Sequence, residues 1–307
     1  VQAVVVGGNG FIGAHLVDQL VALGWPTTVV DDRERTRGPL PDGVRHERGG
    51  LAEPAALDLA LVGAEVVFHL AWTSIHESSN RDPEADVLAN LVPSLRLIAA
   101  CERTGVRRLV FVSSGGTVYG PARVLPIPED HPTEPMSAYG INKLAVEKYL
   151  QLAQRLTGLE GVIVRPSVAY GPGQSPFRRQ GAVAVFLYRV ARGLPVTLYG
   201  DSAVGRDYCY VADLVEALVA AAERPQAAPG IFNIGGPVEV SLRELVAAVE
   251  DTVGCSAEIV HEPARPFDAA HIALDTLRAR ALLDWRPQTP LDAGLALTWA
   301  WMRQAFP

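Results

Sequence analysis

The stretch VQAVVVGGNGFIGA, residues 1–14, joins a short apolar run to a set of spaced glycines. Ala3–Val6 is valine-rich and too short for a helix, which predicts a buried parallel strand. It runs into Gly7-Gly8-Asn9-Gly10-Phe11-Ile12-Gly13 and then into a helical pattern with apolar residues at Phe11, Ile12, Leu16, Leu20 and Leu23. Each glycine has separate work in such a turn. Gly7 permits the tight bend, Gly10 lets a pyrophosphate approach the backbone, and Gly13 lets the helix lie close on its strand. The N–H groups and positive dipole end of that helix then face the phosphates. A second strand, Thr27–Val30, ends in Asp31, placed so that its carboxylate can accept hydrogen bonds from adenosine ribose hydroxyls. The combination reads as a dinucleotide site, with a purely structural strand-to-helix turn as the alternative.

Length and composition narrow the remaining choices. The chain has 307 residues, 49% hydrophobic and 20% charged, the balance of a globular protein with room for one large α/β unit or two lobes. A net charge of −7 leaves no basic footprint, so nucleic acid is not an expected partner, though a local arginine pair can still hold an anion. Cys101, Cys209 and Cys255 fit neither a disulfide framework nor a zinc pattern. They read as small buried hydrophobes in a reducing compartment, and no metal is expected. No run reaches the ~18 uninterrupted apolar residues of a membrane span. The N-terminal run lacks a basic leader, so the expected location is the cytoplasm, without a membrane partner.

Along the chain, Asp31 is followed by a polar loop, Asp32 to Arg37, whose arginines could meet a ribose 2′-phosphate. Asp31 would repel one, which favours NAD over NADP. A helix over Glu53–Val62 leads to a strand over Glu65–Ala71 with His69, read as a structural histidine, near its end. After a polar loop, Trp72–Asn80, one long helix is expected from Pro83 to Thr104, with apolar positions Val87, Leu91, Leu95, Ile98 and Cys101. The strand Arg108–Val112 ends in SSGGTVYG, residues 113–120. This alternation predicts a Rossmann-type doubly wound parallel sheet, with ligands at the carboxyl ends of the strands.

A proline-rich loop, Pro121–Pro135, precedes a helix carrying Tyr139 and Lys143, whose spacing puts both side chains on one face. A neighbouring ammonium is expected to lower the tyrosine pKa from its usual value near 10, as a base at neutral pH requires. Strand Gly161–Arg165 leads to the Pro/Gly cluster of residues 166–173, the candidate boundary between a dinucleotide-binding domain, 1–170, and a smaller α/β substrate-binding lobe, 171–307. Beyond it, a helical stretch is expected at Asp213–Arg224, a strand at Ile231–Ile234 and a helix at Leu242–Val253.

These stretches together resemble the extended short-chain dehydrogenase/reductase family, in its nucleotide-sugar epimerase/dehydratase branch. The resemblance runs from Val1 to about Met302 through GGNGFIG (7–13), FHLA (68–71), SSGGTVYG (113–120), YGINK (139–143), RPSVAYGPG (165–173), GRDYCYVAD (205–213), FNIGG (232–236) and LDWRP (283–287). It implies that Gly7, Gly10, Phe11, Ile12 and Gly13 cradle the pyrophosphate of NAD and that Asp31 holds the adenosine ribose. Leu70, Ala71, Asn90, Pro166 and Val168 would complete the cofactor site. Tyr139 would be the base and acid on a sugar hydroxyl, and Lys143 would bind the nicotinamide ribose. Arg206 and Arg265 would grip a sugar-nucleotide diphosphate, a UDP-sugar before a dTDP-sugar, with Gln180 and Tyr208 beside them. Guanidinium forks match phosphate oxygens; surface ion pairs with Asp207 and Asp268 are the alternative. The resemblance also implies a homodimer, through apolar stripes at Val87, Leu91, Leu95 and Ile98 and at Val146, Tyr149, Leu150 and Ala153, with plain core-facing surface as the alternative reading of both.

Three positions depart from the family pattern. Gly115 replaces the Ser or Thr that shares the substrate hydroxyl with the tyrosine, leaving Thr117, before Ser114 or a water, to take that part. Val168 stands where the family often has an asparagine, and Gly50 where an acidic residue commonly meets the adenine. Gly116 and Thr117 replace the acidic pair of dehydratases, and YGINK replaces the acidic helix of decarboxylases. Epimerisation at C4 through a 4-keto sugar is therefore the expected reaction. A 4-ketoreductase, residual dehydratase or decarboxylase chemistry, and a non-catalytic NAD sensor are the alternatives.

Overall fold

The computed structural model describes residues 1–49, 51, 54–177 and 181–307. Six strands lie in the first part of the chain: β1 (Ala3–Val6), β2 (Thr27–Val30), β3 (Arg45–Glu47), β4 (Val66–His69), β5 (Arg108–Val112) and β6 (Glu160–Pro166). Then come β7 (Val168–Tyr170), β8 (Val196–Tyr199), β9 (Gly205–Tyr210), β10 (Gly230–Ile234), β11 (Glu239–Ser241), β12 (Ile259–Glu262) and β13 (His271–Ile272). The main sheet is parallel, in the order β10-β6-β5-β4-β1-β2-β3, with the order reversing between β1 and β4. A crevice at the carboxyl ends of strands is what such a reversal creates.

Both faces of this sheet are covered, which is why its strands read as continuous apolar runs. Ala3 and Val5 face one core, with α1 (Phe11–Ala22); Val4 and Val6 face another, with α2 (Pro54–Leu61). The expected boundary at residue 170 is not a clean cut in space. β10 returns from the second half to pair with β6, and the helix Val211–Glu223 packs against α1. The smaller lobe has its own core and a mixed sheet centred on β9, which pairs with β7, β11 and β13.

The expected helix from Pro83 to Thr104 is interrupted. Following α3 (His76–Arg81), it divides into α4 (Pro83–Asp86), a π-helical turn at Val87–Leu91 and α5 (Val92–Thr104). Pro93 has no N–H to give the carbonyl one turn earlier, and a widened turn accommodates that loss. After α6 (Gly115–Val118), the helix α7 (Ala138–Thr157) begins at Ser137, whose side chain accepts the Gly140 N–H. The expected outward stripes also change: Ile98, Val146, Leu150 and Ala153 are buried, while Leu88, Ile141, Tyr149, Leu152 and Leu156 are exposed. Cys101 and Cys209 are buried as expected, but Cys255 is exposed.

Candidate active site

The glycine turn leaves no room for side chains. Gly7 has φ +87°, and a Cβ there would lie 2.6 Å from the Ala71 nitrogen; one on Gly13 would lie 2.2 Å from the Gly7 oxygen. Leu70 and Ala71 are held alongside by N–H bonds to the Val6 carbonyl, at 2.8 and 3.0 Å. No side chain caps α1, and its first turn carries no acidic residue, which leaves its first N–H groups and positive dipole end open to an anion. At the end of β2, the buried Asp31 carboxylate accepts the N–H groups of Asn9 and Arg33, both at 3.0 Å, and pairs with the Arg33 guanidinium at 3.2 Å. Arg35 and Arg37 pair with Asp18. A tight backbone cradle, an uncapped helix and a carboxylate beyond it fit an NAD-type dinucleotide. Gly50, expected near the adenine, lies outside the described residues.

Asn90 sits in the π-helical turn and works at one remove from the crevice. Its Oδ1 accepts the Thr73 N–H at 2.8 Å, and its Nδ2 donates to Asp86 at 2.7 Å. Asn142 donates to the other Asp86 oxygen at 2.6 Å, so one buried carboxylate ties the loop after β4 to α7. His69 is buried, 2.7 Å from Ser94 Oγ, and burial lowers its pKa to about 3; this is a structural histidine, as expected.

Tyr139 and Lys143 both enter the crevice from α7, but their electrostatics reverse the expectation. Burial pushes the Tyr139 phenol up to about 12, against a hydrogen bond with Ser114 that pulls it down. Lys143 donates to the Val112 carbonyl at 2.8 Å and lies 3.9 Å from the Trp72 ring centroid, against 5.8 Å for the Tyr139 ring. Burial lowers the ammonium's own pKa to about 7, with Glu147 and Asp86 acting the other way. Loss of hydration therefore outweighs the neighbouring charge that sequence spacing made prominent.

Of the two candidate hydroxyls, it is Ser114 that acts on the phenol's pKa. Thr117 turns its own hydroxyl to the Ser114 carbonyl at 3.3 Å. Packing explains the glycine at 115: a Cβ there would lie 2.5 Å from Leu274 Cδ1 and 3.0 Å from the Arg165 oxygen. The strand end beneath is braced by Glu147, which accepts from Ser113 at 2.5 Å and from Arg165 Nε at 3.0 Å.

On the second lobe, Arg206 donates to the carbonyls of Gly205, Ala269 and Ala270 at 2.6–3.0 Å, and burial lowers its pKa. Asp207 instead accepts the Leu274 N–H at 3.1 Å, and burial raises its pKa to about 7. Arg265 forms the surface pair with Asp268, at 2.6 Å, and lies 4.5 Å from the Tyr199 ring centroid. Pro166 ends β6, and Val168 pairs in register with Tyr208, which is buried against Tyr170 and so placed in the second core. Gln180 lies outside the described residues. The sequence reading missed Trp72, His76 and Phe267. Trp72 and His76 ring centroids lie 5.7 and 5.0 Å from that of Tyr139, and Phe267 stacks on His76. None stands in a spaced motif, although their aromatic types in otherwise polar loops were a visible signal.

Comparison with known proteins agrees with this geometry. Residues 3–235 match the model of the NAD dependent epimerase/dehydratase family. A UDP-glucose 4-epimerase of Mycolicibacterium smegmatis is 36% identical over 304 residues, covering 97% of each chain. The structure of a UDP-glucose 4-epimerase with UDP-glucose from Thermotoga maritima is 33% identical, with a TM-score of 0.95 over all of both chains. A UDP-glucose 4-epimerase from Thermus thermophilus in complex with NAD is 35% identical, with a TM-score of 0.93, covering 99% of this chain and 100% of that one.

Proposed function

The chain belongs to the NAD dependent epimerase/dehydratase family, and on that premise we propose that it is an NAD-dependent nucleotide-sugar 4-epimerase, with a UDP-sugar as substrate. The observation that carries this reading is the Tyr139–Lys143 pair on α7, with Lys143 Nζ on the Val112 carbonyl at the end of β5 and the Tyr139 ring against Trp72 and His76. Gly7, Gly10, Phe11, Ile12 and Gly13 would hold the pyrophosphate of NAD, Asp31 the adenosine ribose and Lys143 the nicotinamide ribose. Bound NAD supplies the acceptor and donor of hydride. Tyr139, held as a phenol by burial, would take the proton from the C4 hydroxyl once the positive charge of bound NAD lowers its pKa, and would return it when the carbon is reduced, with Ser114 orienting the hydroxyl. Arg206 and Arg265 hold the diphosphate, Arg265 exchanging Asp268 for phosphate oxygens.

Elimination and decarboxylation find no support in the narrow cleft between the start of α7 and the loop before β13. Its lining includes His76, Gly116, Thr117, Met136, Ser137 and Phe267, and no described carboxylate. On this reading residues 1–170 chiefly serve NAD and 171–307 the nucleotide sugar, in a cytoplasmic homodimer. The exposed apolar face of Ile141, Tyr149, Leu152 and Leu156 on α7, with Leu88 nearby in sequence to α5, supports the dimer. Among the described residues no helix is long and apolar enough to cross a membrane. The test is to denature the purified protein, identify the nucleotide released, and incubate the native protein with UDP- and dTDP-sugars without reductant. Bound NAD and an epimer formed without added cofactor are expected. An empty protein that consumes NADH or NADPH only with a keto sugar would make it a ketoreductase.

A further inference from the structure

His76 opens α3 and is anchored to the start of α7. Its Nδ1 lies 3.0 Å from Ser137 Oγ, and Ser137 Oγ accepts the Gly140 N–H at 3.2 Å. The imidazole is therefore fixed relative to Tyr139, with ring centroids 5.0 Å apart. Phe267, from the loop before β13, lies parallel to it at 6.0 Å and 5°. Among the described residues, Nε2 has no hydrogen-bond partner, and the ring borders the same cavity as Gly116 and Thr117. A Cβ on Gly116 would meet nothing within 4 Å, so that wall is open.

The charges acting on His76 are those of Asp268, Arg265 and Arg206, all from the second lobe. Burial, first among the causes, lowers its pKa, so at neutral pH the ring offers a hydrogen bond and not a charge. One edge of His76 thus meets the tyrosine where the sugar reacts, and its electrostatic surroundings are the arginines proposed to hold the diphosphate. A hexose held between those two points would then lie near the imidazole.

Resting on the nucleotide-sugar reading, we infer that His76 is a specificity-determining residue: its Nε2 hydrogen-bonds a hydroxyl of the hexose ring, while Phe267 covers an apolar C–H face of the same ring. An aromatic wall with one directed polar group is suited to a pyranose, which has both kinds of surface. The nucleotide and diphosphate gain nothing from Nε2. That separation makes the inference testable.

Calorimetric titration of the full chain with UDP and with UDP-glucose, for wild type, His76→Phe and His76→Gln, isolates the sugar contact. His76→Phe should bind UDP within about twofold of wild type but UDP-glucose about tenfold more weakly, the scale of one lost hydrogen bond. His76→Gln, which keeps a polar end, should recover most of that loss, and the change should fall on KM more than on kcat. If UDP and UDP-glucose weaken equally, or neither weakens, the assignment is overturned. A His76→Ala variant carries the same comparison should His76→Phe fail to fold. Wild type that binds no UDP overturns the nucleotide-sugar reading itself, an outcome seen without any variant.

Discussion

The two walls of the crevice are made differently. The wall proposed to hold the cofactor is mostly backbone: Gly7, Gly10 and Gly13, the uncapped start of α1, and Leu70 and Ala71, whose amides bond the Val6 carbonyl. The wall proposed to meet the substrate is mostly side chains from separate segments: His76 from α3, Thr117 from α6, Met136 and Ser137 before α7, and Phe267 from the second lobe. Backbone surfaces depend on residues that are absent, since what matters is that no Cβ intervenes. Side-chain surfaces depend on which loops meet. A substitution on the first wall should therefore act through fit and stability, and one on the second through chemistry and specificity.

The sharpest way to break that contrast is Tyr139→Phe. It keeps the ring against Trp72, at a centroid distance of 5.7 Å, and removes only the phenol oxygen. Turnover should fall about 10³-fold, within the usual range for a lost acid–base group, with bound NAD unchanged on denaturation. Loss of NAD along with turnover would show that the walls do not act separately.

Gly13→Ala tests the other wall. Its Cβ would lie 2.2 Å from the Gly7 oxygen and 2.8 Å from Gly8 Cα, backbone atoms that have little freedom to yield. A stability loss of about 1–3 kcal/mol by thermal or urea unfolding is expected, together with weakened NAD retention. Unchanged stability would mean that the turn is looser than its contacts show.

Adjacent glycines then sharpen the contrast within one loop. Gly115→Ala should cost about 1 kcal/mol or more in the same unfolding assay, because it meets Leu274 and the Arg165 carbonyl. Gly116→Ala, in open space, should leave stability within about 0.5 kcal/mol and alter KM for the sugar nucleotide instead. Equal effects at both positions would remove the distinction.

The smallest effect at neutral pH belongs to His69. Its pKa is lowered from 6.5 to about 3, so the unfolded chain binds the additional proton first as pH falls. Its contribution to stability is complete above pH 6.5 and is lost progressively toward pH 3. His69→Gln should therefore flatten the acid side of a plot of melting temperature against pH; an unaltered slope would assign the acid sensitivity elsewhere, to His15 for example, whose pKa burial lowers to about 4.

Much of the fold could be read from residue order. The runs ending at Val6, Val30, His69 and Val112 became parallel strands because valine-rich segments bounded by turns and alternating with helices have few other ways to bury both faces. The limits came where tertiary context intervened. The periodicity of Val87 to Cys101 concealed a π-helical turn, and of Val146, Tyr149, Leu150 and Ala153 only Tyr149 is exposed, the rest facing the core. Spacing alone does not say which side of a helix meets the sheet.

By itself the sequence determined the glycine-rich strand-to-helix turn, the parallel sheet and the placing of Tyr139 and Lys143 on one helix, since each follows from local spacing and covalent geometry. Only the tertiary structure decided that Thr117 turns its hydroxyl to the Ser114 carbonyl, that Lys143 turns to the Val112 carbonyl, and that His76, with Phe267 stacked on it, lies beside Tyr139. Those outcomes depend on burial and on contacts between residues far apart in the chain, where desolvation can outweigh a nearby charge and a leucine methyl can exclude a side chain.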